Sequence, residues 1–274
     1  MDVLDWVVFS LLPGIAAILF GVGVGGAKCL AMALTIAICL PFALAYGWPG
    51  WIWGLDPMHG EPRQALWWIL LFGGFLGTAD DFKAIPKPVT FGLEILLVSA
   101  LPWIVSTPLR TAWSFDAYSL CLSAGWCLTV TLWLGLRRFG EVHSGLSLPL
   151  GMTIVLGVDT WILRSATGGQ DWKLAGVAAV ALGFAMITTI WRRPFVCGSG
   201  AAMTITLMHT GLLLCGRSER DLLQLPVLLA WIAPLPMWLV AVPYFTKRRV
   251  LSACLAVSLV TVCGGFAVWA SVAS

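Results

Sequence analysis

Two adjacent carboxylates, Asp80 and Asp81, close an apolar run in the segment Gly77-Thr78-Ala79-Asp80-Asp81-Phe82-Lys83. Like charges repel, and the C-terminus of a helix disfavours anions through its dipole. The pair makes physical sense in one of two settings. In the first it holds a divalent cation, and Mg²⁺ suits it: a hard ion that keeps several waters and takes one or two carboxylates together with substrate phosphates. In the second it is a solvated helix end that faces Lys83 and Lys87.

Three further polar residues interrupt apolar runs. Glu94 lies about 8 Å, at ~1.5 Å per residue, from the start of its run. A carboxylate inside a membrane costs of order 3 kcal/mol unless it is paired or protonated. Glu94 is therefore either hydrogen-bonded or ion-paired near Lys87, or a ligand for a proton or cation. Asp159 is expected to form an interfacial pair with Arg164. His209 stands midway along its run without a second His or Cys at ligand spacing, which predicts an interhelical hydrogen bond more than a metal ligand.

These residues sit in a chain that is 59% hydrophobic and 11% charged. Soluble domains carry about a quarter charged residues, so the composition excludes a soluble globular protein and a nucleic-acid binder. Long continuous apolar runs exclude a porin-type barrel, whose strands alternate in polarity. The fold class is thus all-α and polytopic, with a single transmembrane domain over 1–274.

At roughly 20 apolar residues per span, about ten spans are predicted. They fall near 4–24, 29–46, 65–79, 89–106, 117–136, 146–163, 174–191, 201–215, 225–245 and 250–271, the ninth broken by Pro234, Pro236 and Pro243. The acidic start Met1–Asp5 lacks a basic n-region, so the first run is expected to be a retained helix. Loops after odd-numbered spans hold ten of the 16 Lys and Arg, among them Lys83, Lys87, Arg137, Arg138, Arg192 and Arg193. Cytoplasmic loops retain basic residues, which places both termini outside. Trp48, Trp51 and Trp53 are expected at the outer interface. Seven cysteines (29, 39, 121, 127, 215, 254 and 263) read as small buried hydrophobes, and no Cys-x-x-Cys pair signals zinc or redox chemistry.

The run Leu70-Leu71-Phe72-Gly73-Gly74-Phe75-Leu76-Gly77-Thr78-Ala79-Asp80-Asp81, followed by a short basic loop and a new span, resembles the polyprenyl-phosphate N-acetylhexosamine 1-phosphate transferases. In that family a paired Asp closes the third span beside a magnesium site. A second similarity is Phe195-Val196-Cys197-Gly198-Ser199-Gly200, where the family carries a Gly-Asp-x-Gly-Ser-type loop. The resemblance implies transfer of a sugar phosphate from a UDP-sugar to polyprenyl phosphate at an inner membrane. Asp80 and Asp81 would be catalytic and bind Mg²⁺; Lys83, Lys87, Arg137, Arg138, Arg192, Arg193 and Ser199 would contact substrate.

The chain also departs from the family. The Asn- and Asp-rich motif expected near 137–148 is replaced by Arg137-Arg138-Phe139-Gly140-Glu141-Val142-His143, and the protein contains no Asn. Glu141 and His143 are the candidates to take over the lost roles. The loop before the eighth span also lacks its acidic residue. These departures leave three functions open: a transferase-like protein, active or inactive; a transporter using Glu94, Asp159 and His209 as a polar path; and a subunit or scaffold of a membrane complex. Dibasic loops that bind only anionic headgroups fit any of them.

Overall fold

The computed structural model describes residues 62–107, 110, 113–142, 147–167, 171–191, 199–220, 224–240 and 249–273, together with Leu12, Ile15, Ala16, Leu19, Met32, Ala33, Thr35 and Ile36. The expected spans at 4–24 and 29–46 are thus described at eight positions, and the loop with Trp48, Trp51 and Trp53 lies outside the described residues. Over its described residues each of the other eight apolar runs is helical, apart from a turn at Ala233 and Pro234, and no strand occurs among the described residues.

The helices are α1 (Pro62–Asp81), α2 (Lys87–Ser106), α3 (Phe115–Val142), α4 (Ser147–Thr167) and α5 (Asp171–Trp191). They continue with α6 (Ser199–Arg220), α7 (Gln224–Ile232), α8 (Leu235–Val240) and α9 (Arg249–Ala273). Three of them are long and apolar enough to cross a membrane, over Lys87–Ser106, Phe115–Gly140 and Leu251–Val272.

Proline sets two of the boundaries. Pro86 stands before α2 at ψ 133° and Pro88 lies in its first turn, where a missing N–H leaves no bond unmade. The expected break in the ninth run occurs at Pro234. There Ala233 N–H bonds back to Ala230 O at 3.1 Å and Met237 N–H to Pro234 O at 3.0 Å, so two short helices replace one. Proline has no N–H for the α ladder and its ring collides with the preceding turn.

α6 runs through the middle of the bundle, packed by α1, α2, α3 and α4, and every residue from 200 to 216 is buried. Such a helix cannot be amphipathic in the soluble sense. Its Thr204, Thr206 and Thr210 hydroxyls return to the carbonyls of Gly200, Ala202 and Thr206, one turn earlier, so that no hydroxyl hydrogen is stranded. The outer faces carry large apolar side chains instead, among them Phe72, Phe75, Leu96, Leu120, Phe266 and Trp269. That inversion corrects one expectation. Among the described cysteines, Cys127 and Cys254 are exposed on the outside of the bundle and only Cys215 is fully buried, because an apolar run beside lipid has no need to bury every small residue.

Candidate functional site

The last turn of α1 carries both aspartates and is closed by its own backbone. Lys83 N–H donates to Asp80 O and Ala84 N–H to Ala79 O, each at 2.9 Å. This is the Schellman pattern, which needs a left-handed residue just beyond the helix. Lys83 fills that place at φ 55°, where a β-carbon costs about 1 kcal/mol. Asp80 and Asp81 are thereby fixed at the negative end of the α1 dipole.

The start of α6 offsets that placement. Asp81 accepts a hydrogen bond from Gly200 N–H in the first turn of α6, where the dipole favours an anion. Gly77, one turn before Asp81, meets the same residue: a β-carbon on Gly77 would lie 2.6 Å from the Gly200 Cα. Only two glycines let these backbones approach so closely. Asp81 lies beyond the long apolar segments, and burial pushes its carboxyl up to about 7. The Gly200 N–H opposes that rise, Asp80 and Glu94 add to it, and Arg137 opposes it.

Glu94 joins this cluster from α2. It is wholly buried, and Arg137 Nη1 of α3 donates to its Oε2. The guanidinium also lies 5.2 Å from the centre of the Phe91 ring and 5.7 Å from that of Trp133. Such contacts contribute of order 1 kcal/mol each and hold the side chain in one orientation. Lys87, the partner expected from sequence, is exposed two turns away in the first turn of α2. The local signal for the true pairing was present: Phe91 and Glu94 share one helix face, as do Trp133 and Arg137.

The cluster therefore unites Asp80, Asp81, Glu94 and Arg137 from three helices at the N-terminus of a fourth. Lys83 and Arg138 are exposed at its border. For Glu141 and Ser199 only the backbone is described; His143, Arg192 and Arg193 lie outside the described residues. Among the described residues no three His, Cys, Asp or Glu side chains converge as a metal-binding group. Two buried oxygens of the cluster, Asp81 Oδ2 and Glu94 Oε1, have no hydrogen-bond partner among the described residues.

A second polar centre lies further along α6. His209 Nδ1 is 2.6 Å from Asp159 Oδ2 of α4, and both side chains are fully buried. This bears out the interhelical role expected for His209 and corrects that of Asp159. Arg164, five residues on from Asp159, is exposed and lies 5.4 Å from the Trp172 ring. Asp159 faces inward towards α6, whereas Arg164 has turned to the bundle's rim. Asp159 Oδ1 and His209 Nε2 have no partner among the described residues. No contact links Glu94 to this pair among the described residues, so the expected three-residue polar path divides into two separate centres.

An apolar groove of about 390 Å³ opens between α3 and α7, lined by Trp113, Leu120, Cys121, Leu128, Val227 and Trp231. Leu128 precedes Arg137 by nine residues, about 13 Å along α3. No family model matches the sequence, and no curated protein matches it either.

Proposed function

We propose that this chain is an inner-membrane protein of about ten spans, both termini outside, with the architecture of the polyprenyl-phosphate sugar-phosphate transferases in a motif-degenerate form. The observation that carries the reading is the meeting of the two segments on which the resemblance rests. Gly77 and Asp81 lie against Gly200 although more than a hundred residues separate them. In this reading an oxygen of polyprenyl phosphate attacks the sugar-bearing phosphorus of a UDP-sugar, the bond to the bridging oxygen breaks, and UMP leaves. A bound divalent ion would supply charge neutralisation for the diphosphate. Arg137, held by Glu94 and two aromatic rings, is oriented to meet a phosphate oxygen at the same end of the bundle. The groove between α3 and α7 offers apolar wall for a lipid chain.

The test is UMP exchange by the purified protein with Mg²⁺, polyprenyl phosphate and a panel of UDP-N-acetylhexosamines. Mg²⁺-dependent exchange that disappears in Asp81→Ala supports the reading. Absence of both exchange and nucleotide binding, in protein that melts normally, defeats the enzymatic form.

A second reading is favoured by the Asp159–His209 pair, whose two unpartnered atoms sit deep in the bundle: a transporter, or a subunit of a membrane complex. Flux of any solute or proton that is lost in His209→Gln, or stoichiometric co-purification of a partner, would shift the assignment to it.

A further inference from the structure

Mg²⁺ is implied by the resemblance through the adjacent Asp80 and Asp81. Successive residues on an α-helix point about 100° apart, so neighbouring carboxylates in the last turn of α1 diverge. The cluster contains another pair of oxygens, one from each of two helices. Asp81 Oδ2 and Glu94 Oε1 are each buried with no hydrogen-bond partner among the described residues, and neither oxygen of Asp80 shares that condition. The remaining oxygen of Asp81 is occupied by the Gly200 N–H, and Oε2 of Glu94 by Arg137. Each carboxylate is thus held in orientation by one oxygen while the other is left without a partner. Glu94 is fully buried, and a buried acceptor without a donor or cation is an expensive arrangement.

Resting on the reading of this cluster given above, we propose that a divalent cation binds between Asp81 of α1 and Glu94 of α2, with Asp80 outside its coordination shell. Charge supports the assignment: Asp81 feels the carboxylates of both Asp80 and Glu94, against the guanidinium of Arg137. Two protein carboxylates completed by water are the usual terms for Mg²⁺ or Mn²⁺. Ca²⁺ draws more of its six to eight oxygens from the protein, and Zn²⁺ prefers nitrogen and sulfur donors. Glu94 then has a positioning role towards Arg137 and a ligand role towards the ion, one through each oxygen.

The experiment is Mn²⁺ titration of the purified full chain in mild detergent, read by loss of the free-ion electron paramagnetic resonance signal, with Mg²⁺, Ca²⁺ and Zn²⁺ as competitors. Metal-free thermal melts establish that each variant is folded. The expected result is saturable Mn²⁺ binding by wild type and Asp80→Asn, weakened at least tenfold in Asp81→Asn and Glu94→Gln, with Mg²⁺ the effective competitor. If Glu94→Gln fails to fold, Glu94→Asp decides: its shorter reach weakens binding tenfold or more if the inference is right, and unchanged affinity overturns it. Loss in Asp80→Asn and Asp81→Asn with full binding in Glu94→Gln returns the ion to the adjacent aspartates, so the inference falls while the reading of the cluster stands. No Mn²⁺ binding by folded wild type removes the metal from both.

Discussion

α6 carries two buried polar centres that solve the same problem differently. At its N-terminus the described residues bring three carboxylates, Asp80, Asp81 and Glu94, into one cluster with the guanidinium of Arg137. Nine residues later, about 13 Å along the helix, His209 meets Asp159 one to one. The second centre joins one acidic to one basic side chain and binds α4 to α6. Among the described residues the first holds more carboxylates than cations. A one-to-one buried pair suits a structural link between helices, whereas a cluster of carboxylates with perturbed titration suits a ligand site.

The sharpest way to break this contrast is to remove half of the closed pair. His209→Ala should lower stability by about 3–5 kcal/mol, because it leaves a buried carboxylate uncompensated. The double variant Asp159→Leu/His209→Leu should recover most of that loss. Melting of the three proteins in one detergent checks both statements. A single variant that melts like wild type would show the pair to be loosely held.

The open centre depends first on the close approach of α1 and α6. Gly200→Ala forces a methyl group against the Gly77 backbone, and a loss of roughly 3 kcal/mol is expected, near the upper end for overpacking. Equal damage from Gly77→Ala, with no further damage in the double variant, would identify one shared contact. Additive losses would show two independent defects.

A smaller effect comes from Asp81 and carries a definite sign. Its folded value of about 7 lies above the ordinary 3.8, so the unfolded chain gives up the proton first as pH rises. The contribution of this group to stability is therefore full below about pH 4 and is lost as pH rises through about 7. Asp81→Asn should flatten this slope in thermal melts, and saturating Mg²⁺ should flatten it in wild type. A slope untouched by Asp81→Asn would assign the pH dependence to another group. The closed pair predicts no relief by Mg²⁺, which separates the two centres in one titration.

The smallest change expected is a gain. Lys83 sits at φ 55° in the cap of α1, and Lys83→Gly should stabilise the protein by about 1 kcal/mol. A loss instead would mean that the Lys83 charge, close to Asp80 and Asp81, outweighs the strain.

The helices were legible because they are local. Apolar runs, Pro86 and Pro88 at the start of α2, and Pro234 between α7 and α8 act within a few residues, and the described helices follow them. The placement of Asp80 and Asp81 at a helix end was legible for the same reason. Reading each polar residue against its nearest charged neighbour in sequence failed twice. Glu94 passes over Lys87 for Arg137, 43 residues away, and Asp159 passes over Arg164 for His209, 50 residues away.

By itself the sequence determined an all-helical chain with apolar runs suited to a membrane, where those runs break, and which polar residues stand inside them. The tertiary structure alone decided the partners. A helix's period and caps are written in consecutive residues, whereas the face it buries is chosen by close packing against helices far away in the chain. That packing brings Gly77 to Gly200, and with it Asp81 to a helix N-terminus that favours its charge.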